Sequence, residues 1–231
     1  MLTAAETLRQ VDRMLRERAF HEHPLWKGLI EGTFNRAQVQ DFIKQHGIIP
    51  LHNHNYHGPL YIVCPDHKWR ARIAEVVYEE GTGRLYANGV PHNELYLQLA
   101  EELGLSRDEM WNTEYCAEAV AIRCYYSQVC SRNFLEGVSA HMLAGEAQGP
   151  GWFTTIANKL KEKFGITDKG AAFFVIHDKA DEDHSSIGKE LLDQFAKTEA
   201  DLKMVLRTVK TTLEMSKLFD DGLYRRIRAL A

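Results

Sequence analysis

The chain is poor in helix breakers and lacks the patterning of sheets. Six prolines occur in 231 residues, and apolar–polar alternation never persists, which argues against strands. No run of about 18 apolar residues exists, so no transmembrane helix is expected. The stretch from Met1 to Arg18 is charged and helix-like rather than a secretory signal, so the expected compartment is the cytoplasm. The formal charge is -4. Without a basic excess, neither nucleic acid nor a membrane is an expected partner. The four cysteines, Cys64, Cys116, Cys124 and Cys130, form no C-x-x-C pair. They read as free thiols in a reducing compartment, mostly buried in helices.

What is present is helical periodicity. A 45% hydrophobic and 26% charged composition is that of an ordinary soluble globular chain, and 231 residues suffice for one large domain over 1–231. Leu8, Val11, Met14 and Leu15 form the stripe of a first helix. Pro24 can open a short second one. Asn35 with Gln38 forms a capping box before a long helix through Phe42, Ile43 and Gln45, which Pro50 interrupts. Asp66 caps a helix that runs to Glu80. Gly81, Gly83, Gly89 and Pro91 then break the pattern until His92, where a helix resumes to Leu103. Ser106 and Glu109 box a short helix. Further helices are expected over about 114–135, 138–146, 152–164 and 169–195, and from Thr198 to about 229. The sum is eight to ten helices, no convincing strand and no linker, hence one all-α bundle.

The strongest chemical signal is the segment His177-Asp178-Lys179-Ala180-Asp181-Glu182-Asp183-His184. His177, Asp181 and His184 stand at i, i+4 and i+7, within about 40° of one direction on a helix. Two imidazoles and a carboxylate on one face suit iron or manganese, although charges at this spacing also make an ordinary solvated face. The apolar run Ala171 to Ile176, with Ile187 and Leu191 beyond, turns that face inward, where polar groups need partners. Glu146 lies in a stretch of small residues and reads either as a helix-end glutamate or as a carboxylate bridging two metals. Glu79-Glu80 and His92 flank a glycine-rich break, so a carboxylate at a helix end and a histidine at the next helix start can meet. Together Glu79, His92, Glu146, His177, Asp181 and His184 supply three carboxylates and three imidazoles, a set from which helical bundles build di-metal sites.

The sequence resembles the haem-oxygenase-like helical proteins of the pyrroloquinoline-quinone synthase and chlamydial death-domain-associating protein group. The resemblance rests on Phe20-His21-Glu22-His23-Pro24-Leu25-Trp26, the helix start at Asn35, Cys64-Pro65-Asp66, Val77-Tyr78-Glu79-Glu80-Gly81 and Pro91-His92. Leu99 to Ser106, Glu146-Ala147-Gln148 and His177-x-x-x-Asp181-x-x-His184 complete it. It implies a haem-oxygenase-like bundle that holds two irons, or iron with manganese, and uses dioxygen to oxidise a small molecule. It also favours Glu79 over Glu80 as ligand, and implies a homodimer. The positions matching the tyrosine and lysine consumed by one self-sacrificing relative hold Trp26 and Ile156, so that chemistry is not implied. The nucleophilic cysteine of the thiamin-degrading relatives falls near Glu146, and Cys124 and Cys130 do not replace it.

Substrate selectivity is expected from His23, Trp26, His46, Arg123, Tyr126 and Trp152, with His52 and Tyr56 as further candidates. Arg123, in an apolar and aromatic setting, reads as a carboxylate clamp or as one half of a structural ion pair. The histidine-dense run from His52 to His57 is expected to stay outside the metal site. Three functions compete: a di-metal oxidase, a cofactor-independent oxidase working by histidine acid–base chemistry, and a non-catalytic interaction protein. The six ligand-type residues favour the first.

Overall fold

A computed structural model describes residues 2–148 and 151–230, apart from the side chains of residue 179 and residues 181–183. Every regular element among the described residues is helical. The α-helices are α1 (Ala4–Glu17), α2 (Pro24–Glu31), α3 (Arg36–His46), α4 (His54–Val63), α5 (His67–Thr82) and α6 (His92–Glu102). They continue as α7 (Arg107–Trp111), α8 (Ala117–Arg132), α9 (Phe134–Ala140), α10 (Phe153–Phe164), α11 (Asp168–Phe195) and α12 (Glu199–Arg228). The capping boxes at Asn35, Ser106 and Thr198 form as the sequence predicts. Among the described residues no helix is long and apolar enough to cross a membrane.

Two stretches depart from expectation. The helix expected over 114–135 stops at Arg132, because Asn133 adopts an extended conformation and its side chain accepts from the Glu136 N–H to cap α9. The stretch expected to run as one helix to Glu146 does not stay α-helical. It widens to a π-turn at His141–Gly145, with the Glu146 N–H bonded to the His141 carbonyl, and tightens to a 3-10 turn at Glu146–Gln148. Residues 54–63 form α4 with Tyr56, His57 and Leu60 buried.

The long α11 packs against α6, α9 and α10, while α12 runs along α1, α3, α8 and α9. Leu25, Phe42, Ile43, Tyr96, Leu99, Ile122 and Phe174 are fully buried in the main core, each contributing about 1.5–3 kcal/mol. A smaller cluster of Val11, Leu192, Val205 and Val209 ties α1 and α12 to the bundle. Into this apolar interior intrude Glu79, Glu80, His57, His92, His141 and His184, all buried. An unsatisfied buried polar group costs about 1–3 kcal/mol, so such a concentration marks the site.

Candidate metal centre

The first cluster is built by the break between α5 and α6. Gly83 ends α5 at φ +63°, and a Cβ there would lie 1.9 Å from the Val90 carbonyl oxygen, so only glycine lets the chain fold back here. The reversal brings His92 against the end of α5. His92 Nε2 lies 3.1 Å from Glu79 Oε1, and its Nδ1 lies 3.1 Å from Glu80 Oε1. Glu79 is otherwise occupied by the loop, accepting from the Leu85 N–H at 2.5 Å and the Tyr86 N–H at 3.1 Å. Glu80, one residue on, faces the cluster, and its Oε2 accepts from the Asn53 amide at 2.7 Å. His177 arrives from α11 with its ring 4.8 Å from that of His92. Its Nδ1 donates to the Phe173 carbonyl at 2.7 Å, which fixes the tautomer and leaves the Nε2 lone pair to bind. One ligand atom each from Glu80, His92 and His177 lies within 4.8 Å of the others. Glu80, rather than the Glu79 favoured from the sequence, stands in this group, and Glu79 meets the other nitrogen of the His92 ring.

The second cluster joins α4 to the π-turn. His57 Nε2 and His141 Nε2 are 2.5 Å apart, and they lie 3.5 Å and 3.4 Å from Glu146 Oε1. His184 Nδ1, from α11, lies 3.1 Å from the same oxygen. Thus His92, Glu146, His177 and His184 meet as the sequence suggests, and His57 and His141 join them unannounced. The expectation that the run from His52 to His57 stays outside fails because α4 turns His57 inward, four residues after Asn53 on the same helical face. His141 carries the signal that exposed His177: a histidine inside an apolar run, Val138 to Leu143. The Asp181 side chain lies outside the described residues.

Electrostatics match the arrangement. Burial raises the Glu80 carboxyl, and the imidazoles of His92, His57 and His177 outweigh it, holding the group well below the usual carboxylate range. Burial also opposes ionisation of Glu146, and His141 and His184 reverse it. Burial lowers His141 and His177 to about 4 each and His46 to about 3. His92 is raised instead, burial being outweighed by Glu80 and Glu79; the ionised carboxylates and the neutral His141 and His177 are in the forms that bind metal. Two details point to a cation. Glu146 Oε2 is buried without a hydrogen-bond partner. Facing Nε2 atoms 2.5 Å apart need a proton or a cation between them. The imidazole and carboxylate donor set fits iron or manganese.

Both clusters open into one cavity of about 190 Å³ walled mostly by aromatic side chains. Of the expected substrate residues, Trp26, His46 and Tyr126 line it, as does Tyr56. Gly145 permits this, since a Cβ there would lie 2.6 Å from the Tyr126 hydroxyl. The others lie elsewhere. His23 caps α2 and pairs with Asp221 at 3.1 Å. Trp152 stacks on His21 with centroids 4.3 Å apart. Arg123 lines a separate surface depression with Asn55, Ser127 and Gln128, because α8 turns Ile122 and Tyr126 toward the cavity and leaves position 123 on its outer side. All four cysteines are free thiols; Cys64 and Cys130 are buried, Cys124 exposed.

The geometry has counterparts in known proteins. Residues 40–217 match the family described as iron-containing redox enzymes. A 4-aminobenzoate synthase of Chlamydia pneumoniae is 26% identical over 182 residues, covering 79% of each chain. A CADD-like protein of unknown function from Nostoc punctiforme superposes with a TM-score of 0.78 at 15% identity, covering 97% of this chain and 98% of that one. A TenA homologue from Pseudomonas syringae reaches 0.78 at 11% identity, covering 96% and 93%. The structural likenesses establish the haem-oxygenase-like fold. With the family match spanning most of the chain and the acid–imidazole clusters at its centre, the chain belongs to the iron-containing redox enzymes of that fold.

Proposed function

We propose that the chain is an oxygen-dependent oxidoreductase that holds two metal ions, both iron or iron with manganese, and oxidises a small aromatic or amino-acid-like metabolite. The observation that carries this reading is the meeting of two acid–imidazole clusters in one buried cavity. Glu80, His92 and His177 would hold one ion. Glu146, His57 and His141 would hold the other, with His184 against Glu146 and Asp181 added by its helical spacing. Bound iron supplies the electrons with which dioxygen is reduced.

The chain's own groups prepare the site for that chemistry. Glu79 aims the His92 ring, and Asn53 aims Glu80. The Phe173 carbonyl keeps the proton of His177 on Nδ1. Phe20, Phe153, Phe173 and Phe219 give the cavity an apolar wall. The aromatic walls suit a planar substrate, and the relatives named 4-aminobenzoate synthase support an aromatic compound as substrate or product. Trp26 stands in the cavity wall and Ile156 is fully buried, so self-consumption of a tyrosine and a lysine at those positions is not part of the proposal.

The test is anaerobic Fe(II) loading, metal analysis after desalting, and oxygen uptake across a panel of aromatic amines, amino acids and phenols. The expected result is more than one iron retained per chain and substrate-dependent oxygen consumption. Turnover that survives complete iron removal would favour the cofactor-independent alternative. A chain that retains no iron would end the reading.

A further inference from the structure

The cavity contains one carboxyl group that the metal centre does not use. Asp220 lies on α12, a helix that contributes none of the clustered acids or imidazoles. Ser216, Phe219 and Asp220, at i, i+3 and i+4, share one helical face, and all three line the cavity. Ser216 is hydrogen-bonded to Tyr126. Asp220 is buried and accepts from the Trp26 indole N–H. A carboxylate has about four acceptor positions, so this single donor leaves most of its capacity unused.

The surrounding charges are unbalanced. Asp221, about 100° further round the helix, takes the nearby cations: Lys217 Nζ at 2.6 Å and His23 Nε2 at 3.1 Å. Among the described lining residues there is no lysine or arginine. Apart from the metal ions proposed above, a substrate carboxylate entering this cavity finds no cation among the described lining side chains. A substrate ammonium finds Asp220, where it can replace the proton that burial otherwise keeps on the carboxyl, and the faces of Trp26, Phe20, Phe153 and Phe219, which attract positive charge through their ring quadrupoles.

We infer that Asp220 anchors a positively charged nitrogen of the substrate, so that the oxidised metabolite is a small amine with an apolar or aromatic body. This rests on the oxidoreductase reading above and specifies its substrate class. The size agrees: an apolar cavity of about 150 Å³ admits benzene, so about 190 Å³ takes one ring with a short aminoalkyl arm. Asp220 is on this account a specificity residue. It pairs with the substrate and leaves iron binding to the other helices.

The experiment uses the full chain loaded anaerobically with Fe(II), so that binding is read without turnover. Quenching of tryptophan fluorescence, to which Trp26 in the cavity wall responds, is titrated with phenethylamine, 3-phenylpropionate and 2-phenylethanol. Phenethylamine is expected to bind at least about tenfold tighter than either of the others. Asp220→Asn should abolish that preference while leaving 2-phenylethanol affinity, iron content and the circular dichroism spectrum unchanged. Asp220→Glu should retain the preference for the amine. Equal affinity for amine and carboxylate, no binding of any probe at millimolar concentration, or unaltered amine affinity in Asp220→Asn would overturn the inference. The two readings fail separately. A chain that holds no iron yet prefers the amine through Asp220 overturns the redox reading, whereas an iron-loaded chain without the preference overturns the amine subsite.

Discussion

Glu79 Oε1 lies 3.1 Å from His92 Nε2, and both side chains are cut off from solvent. Glu80 meets the other nitrogen of the same ring at the same distance. The adjacent glutamates thus grip opposite nitrogens of one imidazole, Glu79 tied also to the loop N–H groups and Glu80 grouped with His177. Glu79→Gln should lower iron affinity by roughly 10–100-fold, and Glu80→Gln should lower it further. Competition with a chelator, followed by metal analysis, measures both. A larger loss in Glu79→Gln would reverse the assignment.

The 2.5 Å approach of His57 and His141 makes a second pair of variants informative. His57→Ala and His141→Ala should each weaken iron retention by about tenfold or more. Iron at a hundredfold excess over its dissociation constant stabilises the native state by about 2.7 kcal/mol, which appears as a rise in melting temperature. That rise should shrink in both variants. If it is undiminished, the two histidines are not ligands.

Gly83 is required by the turn that delivers His92. Gly83→Ala forces a side chain into the left-handed region, at φ +63°, and against the Val90 backbone. The expected destabilisation is on the order of 2–4 kcal/mol, accompanied by loss of iron from the cluster containing His92. Gly81, whose added Cβ would meet nothing within 4 Å, serves as the control: Gly81→Ala should leave both stability and iron content nearly unchanged.

Asp220 predicts a pH dependence of stability. Burial, with the Trp26 hydrogen bond opposing it and the neighbouring Asp221 charge adding to it, raises its carboxyl from the ordinary 3.8 to about 8. Between those values the folded chain binds a proton that the unfolded chain has released. Stability from this group is therefore full below about pH 4 and falls as pH rises to about 8. The complete loss is on the order of 5 kcal/mol. Asp220→Asn should remove that slope, so its gain in melting temperature over the parent should be larger at pH 8 than at pH 5. Parallel melting curves for the two proteins across this range would show that Asp220 does not titrate there.

Much of the architecture was readable from one dimension. Helical spacing, the capping boxes and the break from Gly81 to Pro91 located most of the helices. The i, i+4, i+7 pattern picked out the metal-facing helix. The errors share a cause. Asn133 ended a helix through its side-chain hydrogen bond, which competes with continuation on terms set by local backbone geometry. Arg123 sits one position along α8 from Ile122 and four from Ser127, and only packing decides which of these faces the cavity. Glu79 and Glu80 are chemically identical neighbours. Their tasks diverge because successive helical residues point about 100° apart, and the loop N–H groups of Leu85 and Tyr86 claim one of them.

The sequence by itself determined the helical class and, through hydrophobic periodicity and the spacing of His177 and His184, the helix face that carries two of the converging imidazoles, because both patterns are local along one helix. Only the tertiary structure decided that His57 and His141 stand beside Glu146, that Glu80 rather than Glu79 groups with His92 and His177, and that Asp220 lines the cavity beside the Trp26 indole. Those outcomes depend on which helices pack together and how each is rotated about its axis, and contacts between residues 84 or more positions apart leave no spacing pattern to read.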